Sequence, residues 1–113
     1  MAGVVYIDIE EGKKRLMNNG KLYAKMLAKF KADTSIDELL AFARAQDWEK
    51  ARAEAHAIKG VAANLSLTEL YRQSLDAETQ FKGNSFQAQA LENLKTCFAE
   101  TITHADKVIA DYA

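Results

Sequence analysis

The 113-residue sequence contains no proline and a single cysteine, Cys97. Without proline, no ring removes an amide donor inside a helix, so helices run until a glycine or a capping side chain stops them. With one cysteine no internal disulfide can form, and a reducing cytoplasm is the expected setting. No stretch approaches the ~20 apolar residues of a spanning helix. Met1 to Ile9 lacks the basic-then-apolar pattern of a secretory leader, so no membrane partner is expected. An excess of either charge is also missing. Fifteen basic and sixteen acidic residues leave a net charge of −1, which argues against nucleic acid as the main partner. Histidine is as scarce: besides His56 there is only His104, with no Glu-x-x-His pair and no cysteine cluster, so no metal site is expected. No Ser-His-Asp set, paired carboxylates or phosphate loop appears, and an independent enzyme is not expected.

What is present is helical periodicity, and the hydrophobic share of 49% is enough for one core. One domain over residues 1–113 is expected. Asp8-Ile9-Glu10-Glu11 has capping-box spacing and opens a short first helix ending near Met17, before Asn18-Asn19-Gly20. A second runs from Lys21 to Ala32. Ser35-Ile36-Asp37-Glu38 starts a third as a capping box, and Asp47 caps a fourth over Trp48 to about Asn64. Ser66-Leu67-Thr68-Glu69 reads as the box that starts a fifth, which ends before Gly83. Ser85 caps a sixth, from Phe86 to about Tyr112. Three- and four-residue seams run through Ala51, Ala55, Ile58, Ala62 and Leu65, then Leu70, Ser74, Ala77 and Phe81, then Leu94, Phe98, Thr101 and Ala105. The fold class expected is all-α: an antiparallel four-helix bundle of the last four helices, with two short N-terminal helices covering one end. Val4 to Ile9 has no partner strand and is expected to pack on the bundle as an apolar lead-in. Trp48 is expected to seal a bundle end, Cys97 to pack as a small residue, His104 to be solvated, and Lys13-Lys14-Arg15 to be a solvated basic face.

At ~100° per residue, His56 lies roughly 130° from the centre of its helix's seam and faces solvent. Lys59 and Gly60 follow at the positions that neighbour it on the surface, and Arg52 and Ala63 complete the surround. Most helical histidines on a surface are only that. Gly60 argues otherwise, because a glycine in a helix interior costs ~1 kcal/mol and this one faces away from the core. A missing side chain beside an exposed histidine fits close approach by another protein. Lys59 fits a histidine that carries a dianionic group, whose charge an ammonium offsets.

The stretch His56-Ala57-Ile58-Lys59-Gly60-Val61-Ala62-Ala63-Asn64-Leu65 resembles the phosphorylation motif of histidine-phosphotransfer (HPt) domains, where His, a hydrophobic residue, Lys and Gly occur in this order. Ile7-Asp8 with Glu11-Gly12, then Leu22-Tyr23 and Leu27 to Phe30, looks like that family's opening helices. Ala41 and Gln46-Asp47-Trp48 look like its approach to the histidine helix. The resemblance implies a phosphocarrier in a multistep phosphorelay. His56 accepts a phosphoryl group through Nε2 from a receiver-domain aspartate and passes it to another receiver's aspartate. By that likeness Lys59 offsets phosphoryl charge and Gly60 lets the receiver close in. The carrier has no cofactor of its own, and the Mg²⁺ comes from the receiver. The implied partners are receiver domains of hybrid sensor histidine kinases and of response regulators, met by a monomer.

If the hairpin after the histidine helix pivots near Ser66, the residues level with His56 are Leu75 to Glu78. Glu78 is then a candidate partner for His56 Nδ1–H, matching a polar or acidic residue often found there in the family. Tyr71 and Leu75 share that flank and, with Arg52 and Ala63, are candidate docking residues. Ser66 departs from the family, which commonly has glycine after the Asn-Leu pair. It reads here as a turn substitution that also serves as an N-cap. The alternative to a carrier is an adaptor on the same bundle that binds a receiver or another signalling protein without being phosphorylated.

Overall fold

The computed structural model describes residues 4–33 and 35–112. Residues 1–3 of the Met1 to Ile9 stretch, read above for a secretory leader, lie outside the described residues. Six helices follow in order: α1 (Ile9–Lys14), α2 (Gly20–Lys31), α3 (Ser35–Arg44), α4 (Trp48–Leu65), α5 (Thr68–Lys82) and α6 (Ala88–Tyr112). No strand occurs among the described residues, and no described helix is long and apolar enough to cross a membrane.

The seams meet in an antiparallel bundle. α4 packs on α5 and α3, α5 packs on α6, and α6 lies diagonally across from α4. α1 and α2 stand at the end where α4 and α6 finish. α2 lies mainly along the last part of α6, where Lys31 Nζ bonds Asp106 at 2.7 Å. It also buries Tyr23, Leu27 and Phe30 in the common core. The Tyr23 hydroxyl donates to the Leu65 carbonyl at 2.6 Å, tying α2 to the last turn of α4. Burial pushes this phenol up to about 12. Where α4 meets α5 the buried residues are small: Ala51, Ala55 and Ala62 from one helix, Ser74 and Ala77 from the other. Ser74 is fully buried and its hydroxyl has no hydrogen-bond partner among the described residues.

Several ends differ from the sequence expectation. α1 stops at Lys14, and the following turn carries Met17 and Asn18 at φ 56° and 61°. α3 is not capped by a Ser35 box. The Asp33 carboxylate instead accepts from the Ser35 amide and hydroxyl. α6 starts two residues late, at Ala88, because the Gln87 carbonyl rather than Ser85 receives the first amides, and Phe86 packs edge-on against Phe81.

Ser66 is not an N-cap. It ends α4 in the left-handed conformation, φ 57° and ψ 41°, and Leu67 is the residue before α5, with no side-chain cap. The Leu67 amide reaches the Ala62 carbonyl at 2.9 Å and the Ser66 amide reaches that of Ala63, the Schellman arrangement. Such a position favours glycine, so the departure noted in the sequence places a side chain in a left-handed residue. The Ser66 hydroxyl instead donates to Glu11 Oε1, and Glu69 is taken by Arg72 and Gln73.

The lead-in packs on the bundle only in part: Tyr6 and Ile7 lie against the core, whereas the Val4, Val5 and Ile9 side chains are exposed. The Thr68 hydroxyl donates to the Val5 carbonyl, and the Asp8 amide to the Ser66 carbonyl. Tyr6 stacks on His104 with ring centroids 5.0 Å apart, so His104 is covered rather than simply solvated. Lys13 is half-buried, bonding the Tyr112 hydroxyl at 2.9 Å, so the basic run is not wholly a solvated face. Trp48 stacks on Phe81 at the far end. Cys97 is buried, and burial pushes its thiol up to about 11, which suits packing rather than reactivity.

Candidate functional site

Asp47 accepts from the Lys50 amide and starts α4, which then runs without a break past the histidine to Leu65. The core residues Ala55 and Ile58 bracket His56 in sequence and anchor its helix, leaving the imidazole outward with its side chain 69% exposed. One turn on stand Lys59 and Gly60. A Cβ built on Gly60 meets nothing within 4 Å, so the fold does not require a glycine here. Gly12 and Gly20 differ. A Cβ there would lie 2.4 Å from the Tyr23 ring and 2.3 Å from the Tyr112 ring, so packing explains both.

α5 brings Glu78 across the hairpin. Its Oε2 lies 2.8 Å from His56 Nδ1, and its Oε1 accepts from Lys59 Nζ at 2.7 Å. One carboxylate therefore holds both residues, and the His56 contact leaves Nε2 free to face a partner. Glu78 is only 16% exposed in its side chain. The Lys59 ammonium holds its carboxyl below the usual carboxylate range. Partial burial pulls the other way, and the His56 ring adds to the lowering. Glu78 is therefore an anion at neutral pH. Its contact with Nδ1 favours the tautomer with the proton on Nδ1 and the lone pair on Nε2.

Lys59 is thus not a free cation in the resting protein, a feature the sequence reading missed. Helical arithmetic gives the direction, because Lys59 and Ala63 fall on the side of His56 that faces α5, but not the contact itself. Along α5, Leu75 and Tyr71 follow Glu78 at one-turn steps and are 41% and 39% exposed. Tyr71 and Ala63 line an open cleft of about 300 Å³ with Glu11, Arg15 and Thr68. Arg52 is exposed one turn before His56, with no ion pair among the described residues. It borders a second cleft, with Trp48 and Lys82. The result is a ridge of α4 with an imidazole, a bare glycine backbone and Ala63, flanked by an apolar edge of α5. Among the described residues, no group of three or more His, Cys, Asp or Glu side chains is placed to hold a metal ion.

The family model for the Hpt domain matches residues 25–107. The chain belongs to the Hpt domain family. Hpt domains are helical bundles that act as phosphocarriers in histidine phosphotransfer, interacting with the receiver domains of two-component systems. Comparisons with curated proteins and with solved structures gave no match. The match starts inside α2, so α1 and the first turn of α2 of this Hpt domain lie outside it.

Proposed function

We propose that His56 is the phosphoryl acceptor and carrier of this Hpt domain, taking the group from a receiver aspartate and delivering it to another. The observation that carries this reading is the combination at one ridge: an exposed imidazole oriented through Nδ1 by Glu78, beside a glycine the fold does not need. The Nε2 lone pair attacks the phosphorus of the aspartyl phosphate. The N–P bond forms as the P–O bond breaks, and the aspartate leaves as a carboxylate. No proton has to move, because Nδ1–H stays bonded to Glu78, whose negative charge offsets the positive charge arriving on the ring. Lys59, one turn from His56 and held 2.7 Å from the same carboxylate, is the cation to share with the incoming phosphoryl oxygens. Gly60 and Ala63 leave room for the receiver, while Leu75, Tyr71 and Arg52 border its footprint. The receiver brings the Mg²⁺, and this chain brings the nucleophile and its orientation.

The test is acceptance of label from a panel of phosphorylated receiver domains, read as an acid-labile, base-stable phosphoryl group on the protein. Transfer to the wild type and none to His56→Gln is expected. Transfer that survives His56→Gln would overturn the site, and none to the wild type from any receiver would overturn the carrier reading.

A further inference from the structure

The sequence has no acidic residue between Glu11 and Asp33, while Lys13, Lys14, Arg15, Lys21, Lys25, Lys29 and Lys31 all fall there. With a net charge of −1 for the whole chain, the remainder is acidic, and the basic charge is concentrated in α1 and α2. Three of these cations are occupied: Lys13 by Tyr112 and Glu10, Arg15 by Glu11, and Lys31 by Asp106. Lys21, Lys25 and Lys29 are exposed and form no ion pair among the described residues. They recur every four residues and stand above one another on the outer side of α2, where like charges repel. Lys21 also sits in the first turn, which holds no acidic residue, so its charge opposes the helix dipole. Helix stability accounts for Lys29, a cation in the last turn, but for neither Lys21 nor Lys25.

Their position supplies a reason. Lys29 and Met26 of α2 line a cleft of about 270 Å³ with Val61 and Asn64 of α4. Asn64 is exposed and lies eight residues after His56, about 80° further round the helix and two turns along it. α5 flanks the histidine ridge on one side with Leu75 and Tyr71. Lys29 of α2 borders it on the other, and Lys25 and Lys21 continue along α2 from there, with Leu22 40% exposed between them in sequence.

We propose that Lys21, Lys25 and Lys29 form a specificity surface that selects receivers by acidic residues beside their phosphoacceptor aspartate. This rests on the His56 reading above. A protein that offers an aspartate and Mg²⁺ must hold the cation with further carboxylates, so its rim is acidic where it meets the ridge. Unpaired lysines on α2, beginning with Lys29 in the cleft two turns along α4 from the nucleophile, steer such a surface toward that side of the ridge and penalise a basic one. An anionic membrane fits less well, because Asp33 at the end of α2 and Asp37 and Glu38 at the start of α3 would repel a uniformly negative sheet. A protein surface can match a face that is basic at one end and acidic at the other.

The experiment compares Lys25→Glu/Lys29→Glu with Lys95→Glu/Lys107→Glu, which changes net charge equally on α6, across the bundle from α4. Initial rates of phosphoryl acceptance are measured from a panel of phosphorylated receivers at about 0.05 M and about 0.5 M salt, where screening differs. The α2 variant should accept at least about tenfold more slowly at low salt from receivers acidic beside the aspartate, closing to within about twofold at high salt. The α6 variant should stay within about twofold of wild type throughout. Lys25→Gln/Lys29→Gln should fall between wild type and the reversal, which excludes misfolding as the cause. Equal rates for the α2 and α6 variants overturn the proposal while the His56 reading stands. No acceptance by the wild type overturns both. Binding to phosphatidylserine vesicles that is lost in the α2 variant while transfer is unchanged assigns the face to a membrane and overturns the proposal.

Discussion

Replacing Gly60 with alanine separates what the fold needs from what a partner needs. A glycine in a helix interior is worse than alanine by ~1 kcal/mol. Here nothing offsets the gain, because the new methyl meets no atom within 4 Å. For a chain of 113 residues that gain corresponds to a rise in Tm of about 4 °C. Phosphotransfer should move the opposite way. The methyl stands one turn from His56 on the approach side, and a displacement of ~1 Å from the attack geometry costs about 100-fold in rate. A fall of about ten- to a hundredfold in kcat/KM is expected from quench-flow measurements with a phosphorylated receiver, alongside a higher Tm by circular dichroism. Gly12→Ala is the control, since its Cβ collides with Tyr23 and should cost about 1–3 kcal/mol. A Gly60→Ala protein that is less stable than wild type would refute the claim that the fold does not use this glycine. One that is more stable and transfers normally would refute the claim that a partner does.

Glu78→Gln should slow phosphoryl acceptance by about tenfold or more, on the scale of a charge-assisted hydrogen bond, ~1.5–3 kcal/mol. Because the Glu78 carboxyl is lowered in the folded state, its ion-pair stabilisation is present above the ordinary carboxylate pKa and is lost as pH falls through the lowered value. The stability gap between wild type and Glu78→Gln, no more than ~1 kcal/mol at pH 7, should therefore close in urea titrations run in acid. Ser74→Ala removes a buried hydroxyl with no partner among the described residues and should raise stability by about 1 kcal/mol in urea unfolding; a destabilised variant would mean that the hydroxyl is satisfied. Ser66→Gly relieves a left-handed serine, worth ~1–2 kcal/mol. It also gives up the hydroxyl bond to Glu11, worth about 1 kcal/mol. Thermal melts should show a net gain below about 1 kcal/mol, whereas Ser66→Val should lose stability outright.

The helices and their core faces were readable because each seam repeats over many residues, and a long run of apolar spacing outweighs any single substitution. Ala51, Ala55, Ile58, Ala62 and Leu65 are all buried, as their spacing requires. The turns were less readable because one serine can serve two neighbouring roles. Ser66 with Glu69 has the spacing of a capping box, yet the end of α4 claimed Ser66 first, as a left-handed terminator. Asp33 likewise captured the Ser35 amide from outside the expected box. The direction of His56 followed from angle alone, but the engagement of Lys59 by Glu78 depended on how closely two helices approach, which no single-helix periodicity contains.

That approach is governed by the alanines. Small side chains at a helix contact favour the near end of the ~8–10 Å range of axial separations. The bonds of 2.8 and 2.7 Å from Glu78 to His56 and Lys59 span the gap that Ala55, Ala62, Ser74 and Ala77 leave. The buried contact thus acts as a gauge block for a surface reaction. Enlarging one of these residues by a methylene or two would lengthen the reach from α5 and free the imidazole to turn, without altering any residue a receiver touches. The tuning of the nucleophile is written in side chains that never meet solvent.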